Sequence, residues 1–461
     1  MAFFMSALTA CAAPGGSDAA GAGAAQTSPA VNAGIHPEWS RSAVIYEVNI
    51  RQYTPEGTFA AFQAHLTRIR ALGVDVLWFM PIQPIGKLNR KGTLGSYYSI
   101  SDYTAFNPEF GTEAEFKALV DAAHALGFKV ILDWVANHTA FDHAWTAAHK
   151  EWYTLKADGS ISRAIGGDGK ETDWSDVADL NYTSAPMREA MIAEMRWWLE
   201  RTGIDGFRCD MAGLVPTDFW TEVRRALDPV QPDLFFLAEW EDPSMHGAFD
   251  ATYSWELFHL LNDIASGKRV AASLDTLFAK QDTVFAPGDY RLTFTSNHDE
   301  NSWAGTEFER MGANHQAAYV LGATMQRAMP MLYSGQEASF NRRLKFFEKD
   351  AIDWTGPSLA NFYTSVFALR HANAVLWSGP WGAPQVKLST DHADTVFAFV
   401  RAREQKAVVV VTNFGNAPLS VRYTALAQPG AYTDWFSKAA VTLGADGTLE
   451  VPANGYRVLV R

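Results

Sequence analysis

Cysteine is nearly missing: there are 2 in 461 residues, Cys11 and Cys209. That excludes a disulfide-stapled scaffold and any cysteine-built zinc site. Basic residues are in short supply too. Lys and Arg total 38 against 51 Asp and Glu, a formal net charge of −13. No nucleic-acid partner is expected, because phosphate binding needs a strong basic excess. No apolar run approaches the ~20 residues of a membrane-spanning helix. Neither GxGxxG nor GxxxxGK[ST] occurs, so the phosphate-cradling turns of nucleotide-binding folds are absent. What remains is an ordinary globular balance, 48% hydrophobic and 19% charged, far from a disordered composition. The length suits two or three domains at about 100–200 residues each. Aromatic residues reach 13%, with 16 Trp and 29 Phe, and would suit a site that stacks flat apolar faces.

Residues 1–11 read as the remnant of a lipoprotein-type signal. MAFFMSALTA is apolar but has no Lys or Arg, so the basic start of such a signal is expected further upstream. Leu8-Thr9-Ala10-Cys11 looks like a bacterial lipobox, with Cys11 the lipidated residue; the plainer alternative is a chance LTAC in a disordered tail. Residues 12–34 are mostly Ala and Gly with Ser and Pro, and read as a flexible tether. Such a tether spans roughly 25 Å root-mean-square. Membrane contact is expected only through this lipid anchor, which places the protein in a bacterial periplasm or on the cell surface.

Residues 35–375 alternate strand with helix. Strand-like apolar runs begin at Ala43, Val74, Lys129, Gly206, Leu234, Ala251, Arg291 and Met329. Runs of this kind are what a parallel sheet covered on both faces requires. Amphipathic helical windows lie between them; two end at Gly73 and Gly127, a third starts at Pro186. Eight strands alternating with helices predict an α/β fold, a (β/α)8 TIM barrel. An inserted subdomain at about 140–185 follows strand 3, too long for an ordinary βα loop. From 376 to 461 the helical pattern stops. Short alternating strands there predict a C-terminal antiparallel β-sandwich domain.

Polar residues gather at the C-terminal strand ends, where barrel active sites are built. The third strand ends in Asp133-Trp134-Val135-Ala136-Asn137-His138, and the fourth in Arg208-Cys209-Asp210. The fifth ends in Glu239-Trp240, the seventh in Asn297-His298-Asp299. A carboxylate-rich pocket without a softer ligand set suits glycoside hydrolysis, in which two carboxyls flank the scissile bond. By period-2 alternation Arg208 shares a face with Asp210, and Cys209 faces the helices.

These motifs resemble the conserved regions of glycoside hydrolase family 13, the α-amylase family. DWVANH, GFRCD, the Glu of AEW and FTSNHD match its four main regions in order. LGSYYSISDYTAFNPEFGT, VADLNY and LYSGQE resemble its further signatures. The resemblance implies that Asp210 is the nucleophile and Glu239 the general acid and then base. Glu239 should then hold its proton above the ordinary carboxyl range near 4.3. It implies that Asp299 stabilises the transition state, that Arg208 keeps the nucleophile ionised, and that His138 and His298 donate to sugar hydroxyls. Tyr98 would stack beneath the sugar at the cleavage point. Asp133 reads as a hydrogen-bond partner inside the barrel.

The expected substrate is an α-1,4-glucan, maltooligosaccharide or starch, cleaved with retention. A transglycosylase on the same site is the first alternative; a non-catalytic glycan-binding lipoprotein is the second, opposed by the intact carboxylate set. No cofactor is expected to be required, with calcium the one candidate. Asn137 and Asp179 match positions that hold calcium in some relatives, but Ca²⁺ takes six to eight oxygens. Gly213 and Leu214 stand where many relatives carry a Lys-His pair. Gly95 stands where a His or Asp is usual. Glu337 fits a family position without an assigned chemistry.

Overall fold

The structure, a computed structural model, describes residues 36–461. The lipobox-like motif with Cys11 and the tether lie outside the described residues.

Eight parallel strands close into a barrel in sequence order. They are β1 (Ile45–Val48), β2 (Val76–Phe79), β3 (Lys129–Val135), β4 (Gly206–Asp210), β5 (Phe235–Ala238), β6 (Ala251–Tyr253), β7 (Tyr290–Thr293) and β8 (Ala328–Tyr333). Closure is explicit in the register, where Ile45 lies beside both Val76 and Met331. Alternate side chains point inward. Val76, Trp78, Ile131, Leu237, Leu292 and Met331 fill the lumen. Their neighbours Leu77, Phe79, Val130, Leu132, Phe207 and Phe236 face the helices. Cys209 packs in that outer layer as well.

The helices stop where their sequences say they should. Glu113–Ala125 opens on a capping box between Thr112 and Glu115, which satisfies two orphan N–H groups reciprocally. It gives way to Gly127, and the first helical segment to Gly73, both at positive φ. One expectation fails in detail. The window ending at Gly73 is two helices, Phe59–Gln63 and Leu66–Leu72, broken at Ala64 and His65.

Between β3 and β4, strands His138–Ala140 and Val177–Asp179 pair antiparallel and enclose residues 141–176. This insertion stands at the mouth. After the barrel, a six-stranded and a three-stranded antiparallel sheet form the C-terminal domain. Their shared core includes Val396, Val409, Leu459, Val421 and Val451.

A buried arginine fastens the two parts. Arg401, 1% exposed, lies on the strand Val396–Arg403. Its guanidinium donates to five carbonyl oxygens, those of Thr324, Met325, Leu376, Trp377 and Ala383, at 2.9–3.2 Å. The first two belong to the barrel. Burial draws its pKa well down, and no carboxylate offsets that. Arg401→Met is expected to strand these acceptors and destabilise the fold by roughly 3–5 kcal/mol. Thermal unfolding would read this as a fall of roughly 5–10 °C in Tm.

Candidate active site

The strand ends converge as barrel geometry requires. Arg208, completely buried on β4, sits at the centre of three carboxylates. Its Nη1 donates to Asp133 Oδ1 at 2.9 Å and to Asp210 Oδ1 at 2.9 Å, and its Nη2 lies 2.8 Å from Glu239 Oε1. The other Glu239 oxygen accepts the Met211 backbone N–H at 2.9 Å. Met211 directly follows Asp210 and holds a left-handed φ of 44°. A non-glycine residue in that region stores strain, and such strain collects at functional sites. Here it turns the Met211 N–H onto Glu239.

One guanidinium cannot neutralise three buried acids. Burial and the Glu239 charge push Asp210 well above its ordinary value, and Arg208 only opposes this. Burial likewise lifts Asp133 to about 6 against the pull of Arg208. Arg208 does act on Asp210 in the expected direction, lowering it, but burial and Glu239 act against it. Arg208 is divided among three partners, Asp133, Asp210 and Glu239.

A second chain of contacts holds the far wall. The Tyr98 hydroxyl donates to Asp133 Oδ2 at 3.0 Å and meets His298 Nε2 at 2.8 Å. His298 Nδ1 lies 2.5 Å from Glu47 Oε1, and its Nε2 is 3.4 Å from Asp299 Oδ2. Burial disfavours the charged ring, but Asp299 and Glu47 together raise His298 well above its ordinary value. As an imidazolium it donates from both nitrogens. In turn His298 holds the Asp299 carboxyl below its ordinary value, although burial acts the other way. Tyr98, His298 and Asp299 are thus locked before any sugar arrives. His138 is different: burial lowers it to about 4, so it is neutral. Its Nδ1 meets the Asn137 amide at 3.2 Å.

A pocket of about 270 Å³ opens over these groups, near the lower end of small-ligand sites. Tyr98, His138, Asp210, Glu239 and Asp299 line it, with Trp303 and Phe346 at the rim. Glu47, Trp303, Phe346, Phe347, Lys91 and Asp176 were not expected from the sequence. Glu47 did carry a signal, an acid inside the apolar run AVIYEVNI. The aromatic rim residues sit in loops without period and carried none.

The calcium candidates Asn137 and Asp179 are already engaged in protein contacts. Asp179 Oδ1 accepts the Ile165 N–H at 2.9 Å, and the Asn137 amide is turned to His138. Among the described residues no group of three or more His, Cys, Asp or Glu could hold a metal. Both side chains brace the insertion through these bonds.

Gly213 has a steric reason. A β-carbon there would lie 2.1 Å from Trp240 Cε2. The indole beside Glu239 occupies the space that a side chain at 213 would need. Gly213→Ala is expected to displace Trp240 and lower kcat about tenfold, since small misplacements next to a catalytic group are costly. Steady-state kinetics with an unchanged melting curve would check this.

Comparison with known proteins agrees with this geometry. Residues 26–355 match the family described as alpha amylase, catalytic domain, and residues 388–460 the alpha amylase C-terminal all-beta domain. The α-amylase MalA of Haloarcula japonica is 28% identical over 405 residues, 84% of this chain and 57% of that protein. An α-1,4-glucan:maltose-1-phosphate maltosyltransferase of Rhodospirillum rubrum is 34% identical over 238 residues, 47% of this chain and 34% of its own. The chain thus spans about half the length of these curated relatives or less. Among solved structures, an α-amylase from Lactobacillus plantarum is 30% identical with a TM-score of 0.82, covering 92% of this chain and 99% of that one. The noncanonic maltogenic α-amylase AmyB of Thermotoga neapolitana is 27% identical, also at 0.82, covering 91% and 98%.

Proposed function

The chain belongs to the α-amylase family of glycoside hydrolases, and on that footing we propose that it hydrolyses α-1,4-glucosidic bonds of maltooligosaccharides or starch by double displacement. One observation carries the reading: Asp210 and Glu239 both lie within 2.9 Å of the buried Arg208 guanidinium and open into one pocket.

The steps follow from these positions. Asp210 attacks the anomeric carbon while Glu239 gives its proton to the departing glycosidic oxygen. The bond to that oxygen breaks, and the sugar is held as an ester on Asp210. Glu239, now ionised, takes a proton from water as the water oxygen displaces Asp210. Two inversions return the α configuration. The first step needs its proton on Glu239 as Asp210 attacks. Asp299 stabilises the positive charge that develops at the ring, and Arg208 holds the Asp210 carboxylate as it attacks and again as it leaves. No step needs a metal.

Charge supports a neutral glucan over a phosphorylated donor. Lys91 is the one Lys or Arg among the residues lining the described pocket, and it pairs with Asp176 at 3.2 Å. Asp173, Asp176, Asp210, Glu239 and Asp299 line the same pocket. A sugar phosphate would meet repulsion there. The lipobox-like motif at Cys11 adds a proposed setting, tethered by lipid outside the cytoplasm.

Maltoheptaose followed by product size tests the reading. Only shorter products are expected. Products longer than the substrate would assign a transglycosylase, and no change would remove the hydrolase.

A further inference from the structure

Two mouth loops that are far apart in sequence are joined into one wall. One follows β2 and carries Tyr98; the other follows β8 and carries Phe346. Leu94 N–H donates to the Phe347 carbonyl at 3.0 Å, and Thr93 N–H to Glu348 Oε1 at 3.0 Å. The Thr93 hydroxyl donates to the same carboxylate. A β-carbon on Gly92 would lie 2.5 Å from Phe347 Cβ, so the backbones meet with no gap.

Arg51 pins the seam from below. It is 2% exposed and donates to the carbonyls of Gly95 at 3.0 Å and of Leu94 and Phe346 at 3.4 Å. Gln52 donates to the carbonyls of Lys345 and Glu348 at 3.0 and 2.8 Å. On its other flank the β2 loop is tied to the insertion. Lys87 N–H reaches Asp142 Oδ2 at 2.7 Å, and Lys91 pairs with Asp176.

The chemistry tells which side of the cleft this wall closes. Glu239 protonates the departing oxygen, so the leaving part of the chain lies on its side. Tyr98 is tied instead to Asp133 and His298, and on the hydrolase reading its ring lies beneath the unit that becomes attached to Asp210. The Phe346 ring stands 6.3 Å from the Tyr98 ring at 18° and 5.4 Å from Trp303. Trp303, 43% exposed, offers one further stacking face before the seam at 92–94 and 347–348.

We infer that this wall ends the cleft two glucosyl units beyond the scissile bond, toward the non-reducing end. The enzyme then works from chain ends and releases maltose. Tyr98 receives the first unit, Trp303 the second, and the joined loops stop a third. The inference rests on the hydrolase reading.

The test compares 4-nitrophenyl α-maltoheptaoside with the same compound bridged by an ethylidene group across O4 and O6 of its non-reducing glucose. The free compound is expected to yield maltose first, and the blocked one to react about 100-fold more slowly. Equal rates, or a first product of another length, would overturn the end-stop and leave the hydrolase standing. Failure to cleave either compound would overturn both. A Thr93→Ala, Glu348→Ala double variant loosens the seam away from the sugar contacts. It is expected to raise the blocked-substrate rate about tenfold and change the free-substrate rate by less than about threefold. An unchanged ratio would mean that these bonds do not hold the wall.

Discussion

Asp210→Asn is expected to lower kcat by at least about 10⁴-fold, because the step it removes is the formation of the covalent bond. The amide is nearly isosteric with the carboxylate. Its oxygen can still accept from Arg208 Nη1, which reaches Asp210 Oδ1 at 2.9 Å in the native site. The amide cannot attack carbon. The variant should fold, melt near the wild-type temperature and bind maltooligosaccharide nearly as well. Binding by calorimetry and turnover on maltoheptaose separate the two. Equal sugar release by variant and wild type would remove Asp210 from the chemistry.

Arg208→Met should be nearly as severe, for a different reason. The variant leaves Asp133, Asp210 and Glu239 buried together without their shared cation. An uncompensated buried charge costs about 3–5 kcal/mol, so the melting temperature should fall at neutral pH. The sign with pH follows from the direction of each shift. Arg208 lowers Asp210 and Asp133 in the native fold. Without it both carboxyls rise further above their unfolded values. The penalty therefore applies above the unfolded pKa and shrinks as pH falls, because the protonated forms need no cation. Activity moves the opposite way. The nucleophile must be ionised, so the acid limb of the kcat/KM profile should shift to higher pH. Residual activity should be about 10³-fold below wild type. A profile whose acid limb stays in place would show that Arg208 has no electrostatic hold on Asp210.

The barrel could be read from the sequence because each strand is buried on both faces. That forces short continuous apolar runs, and it leaves the chemistry only the C-terminal strand ends. Asp210, Glu239 and His298 were visible there as polar residues closing apolar runs. The helix ending at Gly73 reads as one piece because its apolar period runs unbroken through Ala64 and His65, while the backbone does not. Arg208 was identified but its division among three acids was not, since only the fold brings Asp133 and Glu239 to it. Tyr98 was expected to stack. Its hydroxyl also ties Asp133 to His298, a contact between residues 35 and 200 positions away. The seam between 92–95 and 346–348 is a meeting of two loops with no shared pattern, and only the structure exposes it.

On the proposed mechanism Asp210, Glu239, Arg208 and Asp299 act as one device that turns a glucosidic bond into an ester and then into an α-anomeric product. Mass spectrometry after exposure to 5-fluoro-α-maltosyl fluoride tests this most directly. That donor forms the ester readily and releases it slowly. A single glycosyl adduct on the peptide containing Asp210, absent from Asp210→Asn, is the predicted result. An adduct on another residue, or turnover of the donor with no adduct and release of the β-anomer, would contradict it.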